Sequence, residues 1–215
     1  MPSHTCTLRR AAVAAALATT LGATLTACGD DSGGGSPSAS RTASNGDVFN
    51  DADVSFASDM IQHHAQALSM VDLTEGRPLD PEVRRLADAI RTTQGPEIEA
   101  MSDWLTAWDH EVPETMRDHS NAGHDMGGDV SEQMEGMDED MPGMMSGEEM
   151  DMLQHASDGE FQDTWLEMMI DHHEGAVEMA QAEQEEGAFA DAVELAGSIE
   201  SSQQEEIEQM EQLLG

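Results

Sequence analysis

Two pentapeptides carry the side chains best suited to chemistry: Met60-Ile61-Gln62-His63-His64 and Met169-Ile170-Asp171-His172-His173. On a helix, a methionine three and four residues ahead of two histidines shares a surface with them, so each copy offers a thioether beside imidazoles. Adjacent histidines point about 100° apart, so one ring of each pair can face the centre of a bundle while the other flanks a helix seam. Neutral imidazole is a good ligand for copper, zinc and iron, and thioether sulphur prefers soft ions such as Cu(I). Folding each segment back on the next helix brings His63 and His64 level with Gln94 and Glu97, and His172 and His173 level with Gln203 and Glu206. A carboxylate or amide there can take the second imidazole N–H and fix its tautomer. The same residues can instead form a metal-free polar layer whose members satisfy one another and fix helix register.

A second group of donors lies between the two copies. Residues 111–155 hold nine methionines together with His119, His124 and His155. His119, His124, Met126, Met141, Met144 and Met145 form an accessory set on a backbone with little periodicity, able to wrap a soft ion without a preformed site. An acidic linker would account for the Asp, Glu and Gly there, but not for the methionines.

These residues need helices to position them. Phe56, Met60, Ala67 and Met70 recur at the spacing of one buried helix face, which predicts a helix from about residue 53 to a stop at Gly76 and Pro78. Asp80-Pro81 starts the next, with Asp80 as N-cap and a stripe of Val83, Leu86, Ile90, Gln94, Glu97, Met101, Leu105 and Trp108. Gly95-Pro96 inside it predicts a kink or local break. Residues 111–146 read as a mostly irregular connection. Ser146-x-x-Glu149 and Ser157-x-x-Glu160 have the form of capping boxes and predict a short helix near 147–156 and a long one from 158 to about 186. Gly187 breaks the pattern before a last helix over about 188–213, with a stripe of Leu195, Ile199, Gln203, Glu206, Met210 and Leu213.

The two halves are copies. Residues 60–105 align without a gap on 169–214 at a shift of 109, with 15 of 46 positions identical. Two hairpins with matching apolar stripes bury them against each other, so the expected fold is all-α. It is a four-helix bundle made of two duplicated helical hairpins with a long Met-rich crossover.

The ends and the charge complete the picture. Arg9 and Arg10 precede an apolar run, Ala11 to Ala27, too short for a comfortable membrane span, and it ends in Leu25-Thr26-Ala27-Cys28. That pattern resembles the bacterial lipobox, so residues 1–27 are expected to be a lipoprotein signal peptide, Cys28 the lipidated first residue and membrane anchor, and 28–50 a flexible tether. Residues 51–215 are then the duplicated domain. Removing residues 1–27 also removes Cys6, which leaves Met and His as the soft-metal donors. The chain carries 45 acidic residues, no lysine and a net charge of −37, which repels nucleic acid and concentrates cations. No cysteine nucleophile, Gly-x-Ser-x-Gly or phosphate-binding glycine loop is present, so no enzyme is indicated.

MIQHHAQALSM and MMIDHHEGAVEMA, each followed by a Gln-x-x-Glu-Ile-x-x-Met helix, and MPGMM before the second copy, resemble the bacterial "domain of unknown function" family 305 over about residues 50–215. The resemblance implies a ferritin-like bundle and, through its CopM-type members, an exported copper-binding protein. It nominates Met60, His63, His64, Met169, His172 and His173 as ligands of Cu(I) or Cu(II), and it names no protein partner. The alternatives are a metal-free helical module that binds a partner protein, and a ferritin-like redox metalloenzyme. The latter would want Glu-x-x-His on its helices rather than His-His opposite Gln-x-x-Glu.

Overall fold

The computed structural model describes residues 39–117 and 141–215. Cys28, His119, His124 and Met126 therefore lie outside the described residues. A two-stranded antiparallel hairpin comes first, β1 (Arg41–Thr42) and β2 (Val48–Phe49). Five helices follow: α1 (Asp51–Asp72), α2 (Pro81–Ala107), α3 (Gly147–His155), α4 (Phe161–Glu186) and α5 (Ala190–Leu214). The fold is all-α, as its periodicity predicts. α1 packs on α2 and α4 on α5 as two hairpins, which meet through α1 against α4 and α2 against α5, while α3 rests on α4. Among the described residues no helix is long and apolar enough to cross a membrane.

Local chemistry sets the helix starts. Asn50 caps α1: its side chain accepts from the Ala52 and Asp53 N–H groups, and Asp53 accepts from the Asn50 N–H in return. Ser146 and Glu149 form the same reciprocal box at α3. Asp80 precedes α2 with Pro81 at the first helical position, but its carboxylate does not cap the helix and instead accepts from Gln162 on α4. At Ser157 the expected box reduces to a side-chain bond from Ser157 to Glu160, and α4 begins at Phe161 rather than at 158.

Two expectations are corrected. α2 runs through Gly95-Pro96 as one helix with no break. Pro96 faces solvent, so the carbonyl of Thr92, one turn back and also exposed, can turn to water for the hydrogen bond that proline cannot donate. The tether reading also extends too far, because residues 41–49 are folded onto the bundle. Asn45-Gly46 makes their turn, with Gly46 at φ +99° and the Asn45 side chain bonded to Asp47. Phe49 then stacks on Trp108 at the end of α2, ring centroids 4.6 Å apart, and Trp108 Nε1 donates to Asp47. This stacking of apolar area gives a short hairpin the support that its few backbone bonds lack.

The core is two apolar clusters stacked along the bundle axis. One gathers Met70, Val83, Leu86, Ile90, Phe161, Trp165, Met169 and Met210. The other gathers Phe49, Phe56, Met60, Met101, Leu105, Ala180, Ala192 and Ile199. On every long helix polar residues lie between the two clusters: His63, His64 and Gln66 on α1, Gln94 and Glu97 on α2, His172 and His173 on α4, and Gln203 and Glu206 on α5.

A candidate metal centre in the polar layer

All four histidines of the layer are buried to 1% exposure or less. His63 and His172 come from opposite hairpins and meet at the centre, ring centroids 3.8 Å apart and tilted by 41°. His64 and His173 turn instead toward the partner helix of their own hairpin. There the Glu97 carboxylate accepts from His64 Nε2 at 2.8 Å and the Glu206 carboxylate from His173 Nε2 at 2.9 Å. The near-100° step between adjacent helical side chains thus gives each pair one inward ring and one seam ring.

The hydrogen bonds decide which nitrogens remain. With Nε2–H donated to a carboxylate, the outstanding atom of His64 and of His173 is Nδ1, and neither has a partner. His63 donates Nε2–H to the Pro142 carbonyl at 3.0 Å, which leaves its Nδ1 likewise unpartnered. His172 has neither nitrogen in a hydrogen bond of ordinary length. Among the described residues, five buried imidazole nitrogens therefore lack partners, in a layer where the Gln94 amide and the Gln203 carbonyl oxygen also lack them. Buried polar atoms normally have partners, because leaving one unmade costs about 1–3 kcal/mol.

The rings at the centre are held neutral. Burial drives the His63 pKa down to about 3, reinforced by the neighbouring His64, while the Pro142 carbonyl pulls weakly the other way. Burial and the facing His63 hold His172 well below the ordinary histidine range. A neutral, lone-pair-bearing imidazole is the form a metal requires. Among the described residues no group of three or more His, Cys, Asp or Glu side chains is drawn together around one point. What converges is a pair of imidazoles with a carboxylate-bonded histidine on either side. Met60 and Met169 are wholly buried one helical turn away, in the cluster on one side of the layer and the cluster on the other. Unpartnered nitrogen with thioether nearby fits a soft metal ion.

Sequence reasoning missed the cover of this centre. Residues 141–145 cross it as a strap. The Gln66 side chain, fully buried, donates to the Met145 carbonyl at 2.8 Å and accepts from the Met145 N–H at 2.7 Å. Gly143, at φ +71°, and Pro142 lie directly on Gly175 of α4, where an added Cβ would come within 2.0 Å of the Pro142 oxygen. Met141, Met144 and Met145 are buried at 6–9% exposure. His155 is exposed and bonds to the Asp151 carbonyl, a turn back along α3. The signal that could have found the strap was Gly175: a glycine on a buried helix face marks a close backbone approach.

Comparison with known proteins finds relatives of the same fold. Residues 53–214 match the family described as a domain of unknown function, DUF305. A DUF305 protein from Streptomyces coelicolor, described as secreted, is 33% identical, with a TM-score of 0.62 over 76% of this chain and 91% of that one. A DUF305 fragment from Deinococcus radiodurans is 28% identical, with a TM-score of 0.62 over 81% of this chain and 99% of that one. CopM in its Cu(II)-bound form is 28% identical, with a TM-score of 0.57 over 75% of this chain and 95% of that one. CopM has also been solved with Cu(I) and with Ag. Among curated proteins none matches the chain.

Proposed function

The chain belongs to the DUF305 family, and from that premise we propose that it is an exported, lipid-anchored protein that binds copper and buffers it or hands it on. One observation carries the reading: five imidazole nitrogens lie buried and unpartnered in one layer between two apolar clusters. The residues that would hold the ion are His63, His64, His172 and His173, with Met60 and Met169 as the thioether donors beside them. Glu97 and Glu206 take the Nε2–H of the outer histidines and so leave Nδ1 bare for an ion. Gln94 and Gln203 line the same layer. Met141, Met144 and Met145, with His119, His124 and Met126, form an accessory route for a soft ion. The copper and silver forms of CopM support the class of metal. Leu25-Thr26-Ala27-Cys28 supports anchoring through a lipid on Cys28, and the secreted relative supports the extracytoplasmic side. No catalytic residue is assigned.

Titration of the full chain with Cu(I), Cu(II) and Zn(II), following bound metal and thermal midpoint together, tests this. Binding to the folded state alone raises the midpoint further with each increase in free metal. Joint replacement of His63, His64, His172 and His173 by Ala abolishes the binding at the bundle. Binding that survives this replacement unchanged moves the site to the Met-rich segment, and a wild-type chain that binds no copper overturns the reading.

A further inference from the structure

The two repeats agree at every histidine of the polar layer and at the Gln and Glu opposite, yet they differ where the strap crosses. Position 66 of the first repeat corresponds to position 175 of the second, and these are Gln and Gly. Both contact the same five-residue segment. Gln66 reaches out and grips Met145 by its N–H and its carbonyl, a two-point bond that fixes the rotation of that peptide as well as its distance. Gly175 does the reverse: it withholds a side chain, so that Pro142 and Gly143 can lie against the helix backbone. One residue holds the strap and the other makes room for it. Between them the Pro142 carbonyl is set 3.0 Å from His63 Nε2.

A carbonyl oxygen can only accept, so this bond requires the proton of neutral His63 to be on Nε2. Among the described residues the strap offers no such partner to His172, which makes no hydrogen bond of ordinary length and feels only a weak pull from the His63 backbone. We propose that Gln66 and Gly175 are positioning residues: by seating residues 141–145 they hold His63 in the Nε2–H form and present its Nδ1 to a ligand. The pseudo-symmetric pair at the centre is thereby made chemically unequal, because the strap bonds His63 and not its counterpart. The nature of the ligand rests on the copper reading above. The tautomer does not, and it is measured without metal.

The full chain, labelled with nitrogen-15 in histidine, reads the tautomer directly from the ring nitrogen shifts and their couplings to the carbon-bound ring protons. In the metal-free wild type, His63 shows Nε2 protonated and Nδ1 bare. Gln66→Leu keeps the volume of the side chain and removes both bonds to Met145. Gly175→Ala attacks the same seat from the other helix by steric exclusion. In each variant His63 passes to a mixture of the two forms, and the affinity for Cu(I) falls about tenfold, the scale of one or two lost hydrogen bonds. Helical content by circular dichroism confirms that each chain remains folded, and if one variant fails to fold the other decides. His63 staying locked as Nε2–H in the folded variants overturns the proposal, as does a wild-type His63 protonated at Nδ1. A changed tautomer with unchanged Cu(I) affinity overturns the step from tautomer to ligand. A wild type that binds no copper sinks the copper reading alone, and the tautomer measurements still decide whether Gln66 and Gly175 position His63.

Discussion

The first hairpin and the second hold the same chemistry at the centre and surround it differently. His64 on Glu97 and His173 on Glu206 match to within 0.1 Å in their hydrogen bonds, at positions 109 residues apart. Outside the layer the copies diverge. The first carries Gly95-Pro96 in its second helix where the other has Gln204-Glu205. Helices α4 and α5 have no arginine or lysine, whereas Arg77, Arg84, Arg85 and Arg91 all lie in the first hairpin, where Asp72 pairs with both Arg91 and Arg117. At the far end of the second hairpin Glu183 is buried beside Asp53 at the position that Thr74 occupies in the first. Geometry has been kept where imidazoles must be aimed, and sequence has drifted where only a helix is required.

That comparison can be broken most forcefully by pH. The neutral His63 titrates near 3 in the fold, with burial as the main cause, against an ordinary value of 6.5. Its contribution to stability is whole above pH 6.5 and drains away as the pH falls toward 3; His172 acts in the same direction. Glu183 has the opposite sign. Burial, aided by the neighbouring Asp53 carboxylate, raises its pKa from 4.5 to about 9. Asp53 already accepts from the backbone N–H groups of Asn50, Ala188 and Phe189, so Glu183 is the carboxyl that keeps the proton. Its contribution is whole below pH 4.5 and is lost as the pH rises to about 9. Urea midpoints of the metal-free chain should therefore fall on both sides of an intermediate maximum. His63→Leu with His172→Leu should flatten the acid side, and Glu183→Gln the alkaline side. An alkaline limb that persists in Glu183→Gln would remove the second hairpin's distinction.

The next effect tests the likeness of the halves. Glu97→Gln and Glu206→Gln each weaken the hold on an imidazole that presents Nδ1, and each should reduce Cu(I) affinity by roughly 10–100-fold, by equal factors. Competition titration measures this, and a loss confined to one variant would show that the halves do not share the ion equally. The smallest effect sharpens the difference. Gly95→Ala meets nothing within 4 Å, so it should stabilise the first hairpin by about 1 kcal/mol and raise the thermal midpoint by about 2–4 °C. No gain would mean that the turn before Pro96 relies on glycine.

Much of this was legible in the sequence because it repeats. The helical periodicity, the shift of 109 and the hairpin fold-back together place His63 and His64 level with Gln94 and Glu97, and His172 and His173 level with Gln203 and Glu206; which ring takes which carboxylate came from the structure. What the sequence hid was non-local. Nothing near Gln66 announces that its amide bonds to Met145, 79 residues away. The β-hairpin at 41–49 hid inside a Gly- and Ser-rich composition, since only the stacking of Phe49 on Trp108 gives it a place to fold. Pro96 suggested a break because a local rule cannot see that its helix is pinned on both sides by buried residues, Gln94 before and Met101 after.

The division of the core into two clusters also gives the molecule its own optical gauge. Trp165 lies wholly buried in one cluster, its Nε1 donating to the Met70 carbonyl, while Trp104 and Trp108 lie in and against the other, beside Phe189. An indole thus stands on each side of the histidines. A quencher arriving between them would dim both emissions together, whereas loosening of one end would shift the colour of one alone, so fluorescence from the unmodified chain can tell filling from fraying.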